Sequence, residues 1–154
     1  MMKMATIIDD TELKKSMLRK QACFMQLTDQ EVTELSDLLY LEEFKTGDTI
    51  VTQGDFVDKV YLIVEGVADV QVTTIENGKP VTRSVATLGR DQAIGLSETG
   101  FYSLSGKRTA TVIAKSEMIL LAFKMAAFHG FALSHSHVKE VMSRNAQEIR
   151  ENSP

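Results

Sequence analysis

Cysteine occurs once in the 154 residues, at Cys23, so no disulfide can close within the chain. A domain without such staples fits a reducing compartment, the cytoplasm, and the apolar neighbours of Cys23 point to a buried, inert thiol. Long apolar runs are also missing. None approaches the roughly 20 residues that cross a bilayer, and the start, MMKMATIIDD, lacks the apolar core of about 7–15 residues that marks a secretory leader. Positive charge is in deficit: 17 Lys and Arg against 21 Asp and Glu leave a net charge of −4. That balance argues against direct nucleic-acid binding, and nothing points to a membrane. No repeat, low-complexity stretch or linker divides the chain, whose 44% hydrophobic and 25% charged content is ordinary for one soluble globular domain.

What is present centres on residues 46–66, TGDTIVTQGDFVDKVYLIVEG. Three glycines, Gly47, Gly54 and Gly66, each stand beside an acidic residue, and two β-branched runs (49–52 and 60–64) lie between them. The spacing reads as turn, strand, turn, strand, turn. In the second run Val60, Leu62 and Val64 share one face, with Tyr61 and Ile63 on the other. Short, tightly turned strands of this kind suit a small barrel or jelly roll.

Around this stretch the periodicity changes. Residues 1–9 read as ragged. Leu13, Met17, Leu18, Cys23, Phe24 and Leu27 recur at helical spacing over residues 10–27, with Asp10 and Thr11 as caps. The basic cluster Lys14, Lys15, Arg19 and Lys20 reads as a solvated helix face or as a dock for an acidic partner. Thr28 and Glu31 form a capping box for a helix carrying Val32, Leu35, Leu38 and Leu39. Ala68, Val70 and Val72 alternate with polar residues, and Asn77-Gly78 predicts a hairpin with residues 81–88 returning across it. Residues 109–114 and 118–123 read as closing strands, 124–131 as a short helix, and 135–150 as a last helix. That helix bears the stripe Val138, Val141, Met142, Ala146 and Ile149.

Residues 89–110, GRDQAIGLSETGFYSLSGKRTA, carry the chemistry. Four glycines and five serine or threonine hydroxyls lie between two strands. Such a loop can turn several backbone N–H groups toward one anion, with Arg108 as the cation and Thr109 as a hydroxyl donor. On residue types alone, a long hairpin with Arg108 in a surface salt bridge is equally open.

The order G-D-x-I-V-x-Q-G-D-x-x-D-x-V-Y-x-I-V-x-G over residues 47–66 resembles the front half of the cyclic nucleotide-binding domain. F-x-x-L-T-x-x-E-V-x-x-L, from Phe24 to Leu35, is similar to the helix that precedes that family's barrel. The family's phosphate cassette runs Phe-Gly-Glu-x-Ala-Leu, a variable loop, then Arg-Ser/Thr-Ala, and Arg108-Thr109-Ala110 matches its second half. In its first half, reading forward puts Ile94-Gly95 on Phe-Gly and Leu96 where the glutamate belongs; reading backward from Arg108 puts Ser97-Glu98 on Gly-Glu. The two registers differ by two residues. A bulge between Gly95 and Glu98 reconciles them, with Glu98 facing the ribose and Leu96 turned toward the barrel interior or the hinge.

The resemblance implies a mainly β fold with flanking helices: a β-roll (jelly roll) with N-terminal helices and a C-terminal helix. It implies one domain over residues 10–150, made of a helical lead (10–39), the roll (40–123) and C-terminal helices (124–150). It further implies a non-catalytic cytoplasmic sensor of cyclic AMP, less firmly cyclic GMP, held by Gly95, Ser97, Glu98, Arg108, Thr109 and Ala110. No further cofactor or metal is implied. Residues 133–154 leave no room for a helix-turn-helix, so output falls to an unknown protein effector, to a homodimer through the C-terminal helix, or to a longer parent chain. The alternative is the same fold without nucleotide, acting as a protein-interaction module, which Leu96 at the glutamate position favours. His135-Ser-His137 with Glu140 has the look of a cupin metal motif, but it lies past the last strand without a second histidine cluster. No spacing supplies a base for Ser97 or Ser105 as hydrolytic nucleophiles.

Overall fold

The computed structural model describes residues 10–96 and 106–152, with side chains through residue 144. Residues 1–9 lie outside the described residues, as do Ser97 and Glu98.

The lead begins with helix α1 (Thr11–Arg19), whose N-terminus is closed by Asp10 accepting from the Leu13 amide at 2.9 Å. The sequence predicts one helix over residues 10–27; the structure breaks it. After α1 the chain extends at Gln21 and then forms a short 3-10 turn at Ala22–Phe24. Tertiary hydrogen bonds hold the chain at the break. The side-chain amide of Gln21 donates to the Asp91 carbonyl at 2.9 Å, while the Arg19 guanidinium donates to the Leu27 carbonyl at 2.7 Å. Helix α2 (Asp29–Ser36) opens with the expected capping box, Thr28 Oγ1 accepting from Glu31 N at 3.1 Å and Glu31 Oε1 from Thr28 N at 2.7 Å.

Among the described residues eight strands follow: β1 (Tyr40–Phe44), β2 (Thr49–Val51), β3 (Lys59–Glu65), β4 (Ala68–Glu76), β5 (Lys79–Leu88), β6 (Ala93–Ile94), β7 (Thr111–Ala114) and β8 (Met118–Lys124). They form two four-stranded sheets, β1-β8-β3-β6 and β2-β7-β4-β5, and every pairing is antiparallel. This is the β-roll that the resemblance implied, and it agrees with the small barrel or jelly roll read from the turn spacing. At the predicted hairpin Asn77 and Gly78 both take positive φ, 52° and 76°, which matches the twist of the strands they join. Thr109 and Ala110, expected at the start of a strand, bend ahead of β7 instead.

The central strands β3 and β8 are covered on both sides, so both read as nearly unbroken apolar runs. Val60, Leu62, Val64, Leu121 and Phe123 face a core shared with Leu18, Phe24, Leu35 and Phe128 of the helices. Tyr61, Ile63, Leu120 and Ala122 face the second core between the sheets, with Ile50 and Val112. Helices α3 (Met125–Ser134) and α4 (Ser136–Asn152) close the chain. Val138 and Val141 of α4 are fully buried in the helix-side core, so the front of the predicted stripe packs within the molecule. The side chains of Ala146 and Ile149 lie outside the described residues.

Candidate functional site

Residues 106–108 are zipped to the β2–β3 connection by backbone hydrogen bonds. Val57 N donates to Gly106 O, Arg108 N to Asp55 O (both 2.7 Å) and Gly54 N to Arg108 O (2.9 Å). This pairing turns Arg108 inward, leaving the residue 7% exposed. Its guanidinium donates to the Lys59 carbonyl at 2.6 Å and lies 3.7 Å from Asp58 Oδ1. The Lys59 side chain is itself paired, its ammonium 3.1 Å from Glu42 Oε1.

Against the guanidinium lies Gly95, just past β6. Its φ is +100°, and a Cβ there would stand 3.1 Å from an Arg108 guanidinium nitrogen. Only glycine gives both the backbone angle and the clearance. Burial pulls the Arg108 pKa below its usual value, and Asp58, Tyr61 and Asp55 oppose the shift. The charge persists, held with little solvent and an exposed carboxylate as neighbour, so an anion entering here is strongly favoured.

Arg108 and Gly95 border a cavity of about 590 Å³. Val51, Val70, Leu88, Ile94 and Val112 give it an apolar bed, and Leu96, Thr109 and Ala110 continue the wall beside Arg108. A third side comes from the lead, where Lys20, Gln21 and Ala22 meet the turn before β6. Asp91 in that turn has φ 72°, and its carboxylate lies 3.0 Å from the Lys20 ammonium. A concave apolar bed with one buried cation suits a small anion bearing an apolar ring. A model of the cyclic nucleotide-binding domain matches residues 41–135.

The chain belongs to the cyclic nucleotide-binding domain family.

Solved structures agree with this fold. The N-terminal domain of a transcriptional regulator from Streptomyces coelicolor A3(2) shares 26% identity and superposes with a TM-score of 0.71, over 88% of this chain and 91% of that one. The regulatory domain of Toxoplasma gondii PKA, crystallised with cAMP, gives 22%, 0.66, 90% and 50% in the same order. The regulatory subunit of a cAMP-independent protein kinase A from Trypanosoma brucei gives 24%, 0.66, 94% and 50%. The chain therefore spans about half the length of these two kinase regulatory chains.

Within this cyclic nucleotide-binding domain, four of the six residues singled out from sequence, Gly95, Arg108, Thr109 and Ala110, border one cavity. Ser97 and Glu98 lie outside the described residues. Leu96 is 8% exposed, packs in the helix-side core and also borders the cavity. The surface salt bridge weighed for Arg108 is overturned by its burial. The wall supplied by Lys20, Gln21 and Asp91 was not legible, because about 70 residues separate its parts. Three of the four residues of the basic cluster are held internally: Lys15 at 2.8 Å from Asp29, Arg19 on the Leu27 carbonyl, and Lys20 on Asp91. Lys20 is 48% exposed and Asp29, the partner of Lys15, 80% exposed, so these are surface pairs on a solvated face, the first of the two readings.

His135 and His137 pair separately with Glu34 and Glu31, and no group of metal-ligating side chains converges among the described residues. No helix among the described residues is long and apolar enough to cross a membrane.

Proposed function

We propose that this domain is a non-catalytic cytoplasmic sensor of a cyclic purine nucleotide, cyclic AMP before cyclic GMP, that reports to a protein effector. The observation that carries the reading is the burial of Arg108 against Gly95 at the wall of the cavity. A cyclic phosphate seated there accepts a charge-assisted, bidentate pair from Arg108 and relieves the cost of holding that cation out of water. Thr109 adds a hydroxyl donor, and the apolar bed takes the purine. In this reading Ser97 and Glu98 complete the sugar and phosphate contacts, and Glu98→Ala weakens binding by about 1–3 kcal/mol. Thr109 does not choose between the purines.

One observation favours a second reading, an interaction module that binds no nucleotide. Leu96 follows Gly95 directly and borders the cavity, where a carboxylate would otherwise meet the ribose hydroxyl. A buried hydroxyl without a partner costs about 1–3 kcal/mol, roughly ten- to a hundredfold in affinity. The structural neighbours include both a cAMP complex and a cAMP-independent protein, so the fold is compatible with either. Calorimetry with cyclic AMP and cyclic GMP discriminates: heat and a melting shift with either nucleotide support the sensor. Silence with both at millimolar concentration supports the interaction module.

A further inference from the structure

The joint between α3 and α4 carries a pairing that the cavity does not use. His135 ends α3, and both its ring nitrogens face oxygens. Nδ1 lies 2.8 Å from the Phe131 carbonyl oxygen, and Nε2 contacts Glu34 Oε2 on α2. The ring also stacks on Phe131, with centroids 4.3 Å apart. A carbonyl and a carboxylate can only accept. Neutral imidazole has one N–H and satisfies one of them; imidazolium has two and satisfies both.

We propose that His135 is a proton-binding site that fastens the α3–α4 joint to α2, closed when the ring is charged and loosened when it is neutral. The neighbouring charges fit. Glu34 and Glu31, both on α2, act on the ring, and from α4 His137 faces Glu31 at 2.8 and 3.0 Å. The pKa of His135 is raised, first by the Phe131 carbonyl; burial opposes that shift, and Glu34 and Glu31 add to it. Glu31, three residues before Glu34 on α2, also closes the capping box of that helix. The response passes directly to α4, whose Lys139 N donates to the His135 carbonyl and whose Val138 and Val141 are fully buried. A group whose pKa is raised on folding stabilises the folded state below its unfolded value and loses that contribution as pH rises through the folded value. Acid therefore seats α4 and mild alkali releases it.

The test uses the full chain and two NMR readouts: titration of the His135 ring, and amide-exchange protection of α4 between pH 6 and 8.5, corrected for intrinsic exchange. The ring should titrate above its ordinary 6.5. Protection of α4 should fall by up to about tenfold for each pH unit by which that pKa is raised. Glu34→Gln is the decisive variant. Its amide offers a donor to neutral Nε2 and an acceptor to the protonated ring, so α4 protection should become nearly independent of pH, with the His135 pKa returning toward 6.5. His137→Gln, which leaves both partners of His135 in place, should keep the response. A His135 pKa at or below 6.5 in the native chain overturns the proposal, as does an undiminished pH response of α4 in Glu34→Gln.

Discussion

Replacing Arg108 separates binding from folding. The Arg108 side chain is 5% exposed and donates to the Lys59 carbonyl, while Asp58, at 3.7 Å, is itself 75% exposed and largely screened. Such a cation is poorly compensated, so an aliphatic side chain of similar length, as in Arg108→Met, should leave the melting temperature unchanged or raise it. Arg108→Ala also removes a buried side chain and the donor to the Lys59 carbonyl, so it should cost more stability than Arg108→Met while leaving the fold intact. Nucleotide binding behaves in the opposite way. Loss of a charge-assisted contact to the cyclic phosphate costs about 2–4 kcal/mol, roughly thirtyfold to several hundredfold in Kd. Calorimetry gives the affinity, and thermal unfolding with and without cyclic AMP gives the linkage. At one hundred times Kd the native domain gains about 2.7 kcal/mol, and at that same concentration the variants should gain only about 0.1–0.9 kcal/mol. A folded Arg108→Met or Arg108→Ala protein with native affinity would refute the assigned pocket. A variant that unfolds would move Arg108 from ligand binding to structure.

Other perturbations test the frame around the site. Leu96→Ala removes a residue that is 8% exposed in the helix-side core and should cost about 2–4 kcal/mol in a denaturant titration; a smaller loss with a large fall in nucleotide affinity would make Leu96 a ligand contact instead. Gly66→Ala places a Cβ 2.6 Å from the Glu117 carbonyl oxygen at φ +103° and should severely destabilise the β3–β4 turn, seen as a large drop in melting temperature. Thr28→Ala opens the capping box of α2 at a cost of about 1 kcal/mol, measurable by denaturant unfolding. Burial pushes the Cys23 thiol up to about 12, so a thiol reagent at pH 8 should label it only as fast as the domain opens, and prompt labelling of the native protein would contradict that environment.

Much of this fold is written in local chemistry. Asn77-Gly78 specifies its hairpin and Thr28 with Glu31 its helix start, because the interactions involved span only a few residues. The two faces of β3 were legible for the same reason: period-two alternation is a property of the strand alone. Gly95 and Arg108-Thr109-Ala110 were visible as a pattern of residue types. That Arg108 is buried against Gly95, with the Lys59 carbonyl as its seat, follows from the pairing of residues 106–108 with the β2–β3 connection, some 50 positions earlier. The break after α1 is of the same kind. Helical periodicity over residues 10–27 is genuine, but where the chain turns out of the helix the side chains of Gln21 and Arg19 are held by the Asp91 and Leu27 carbonyls. Strand β1 went unrecognised because Glu42 and Glu43 interrupt its apolar pattern; Glu42 is explained only by Lys59 beside it. His135 is the clearest case. In sequence it belongs to an unconvincing metal motif, and only the approach of α2, 101 residues away, puts a carboxylate on one nitrogen and leaves the Phe131 carbonyl on the other. Short-range order is set by backbone angles and side-chain periodicity that each segment carries with it. The chemistry of Arg108 and His135 depends on desolvation and on acceptors brought from distant segments, and only the folded chain supplies those.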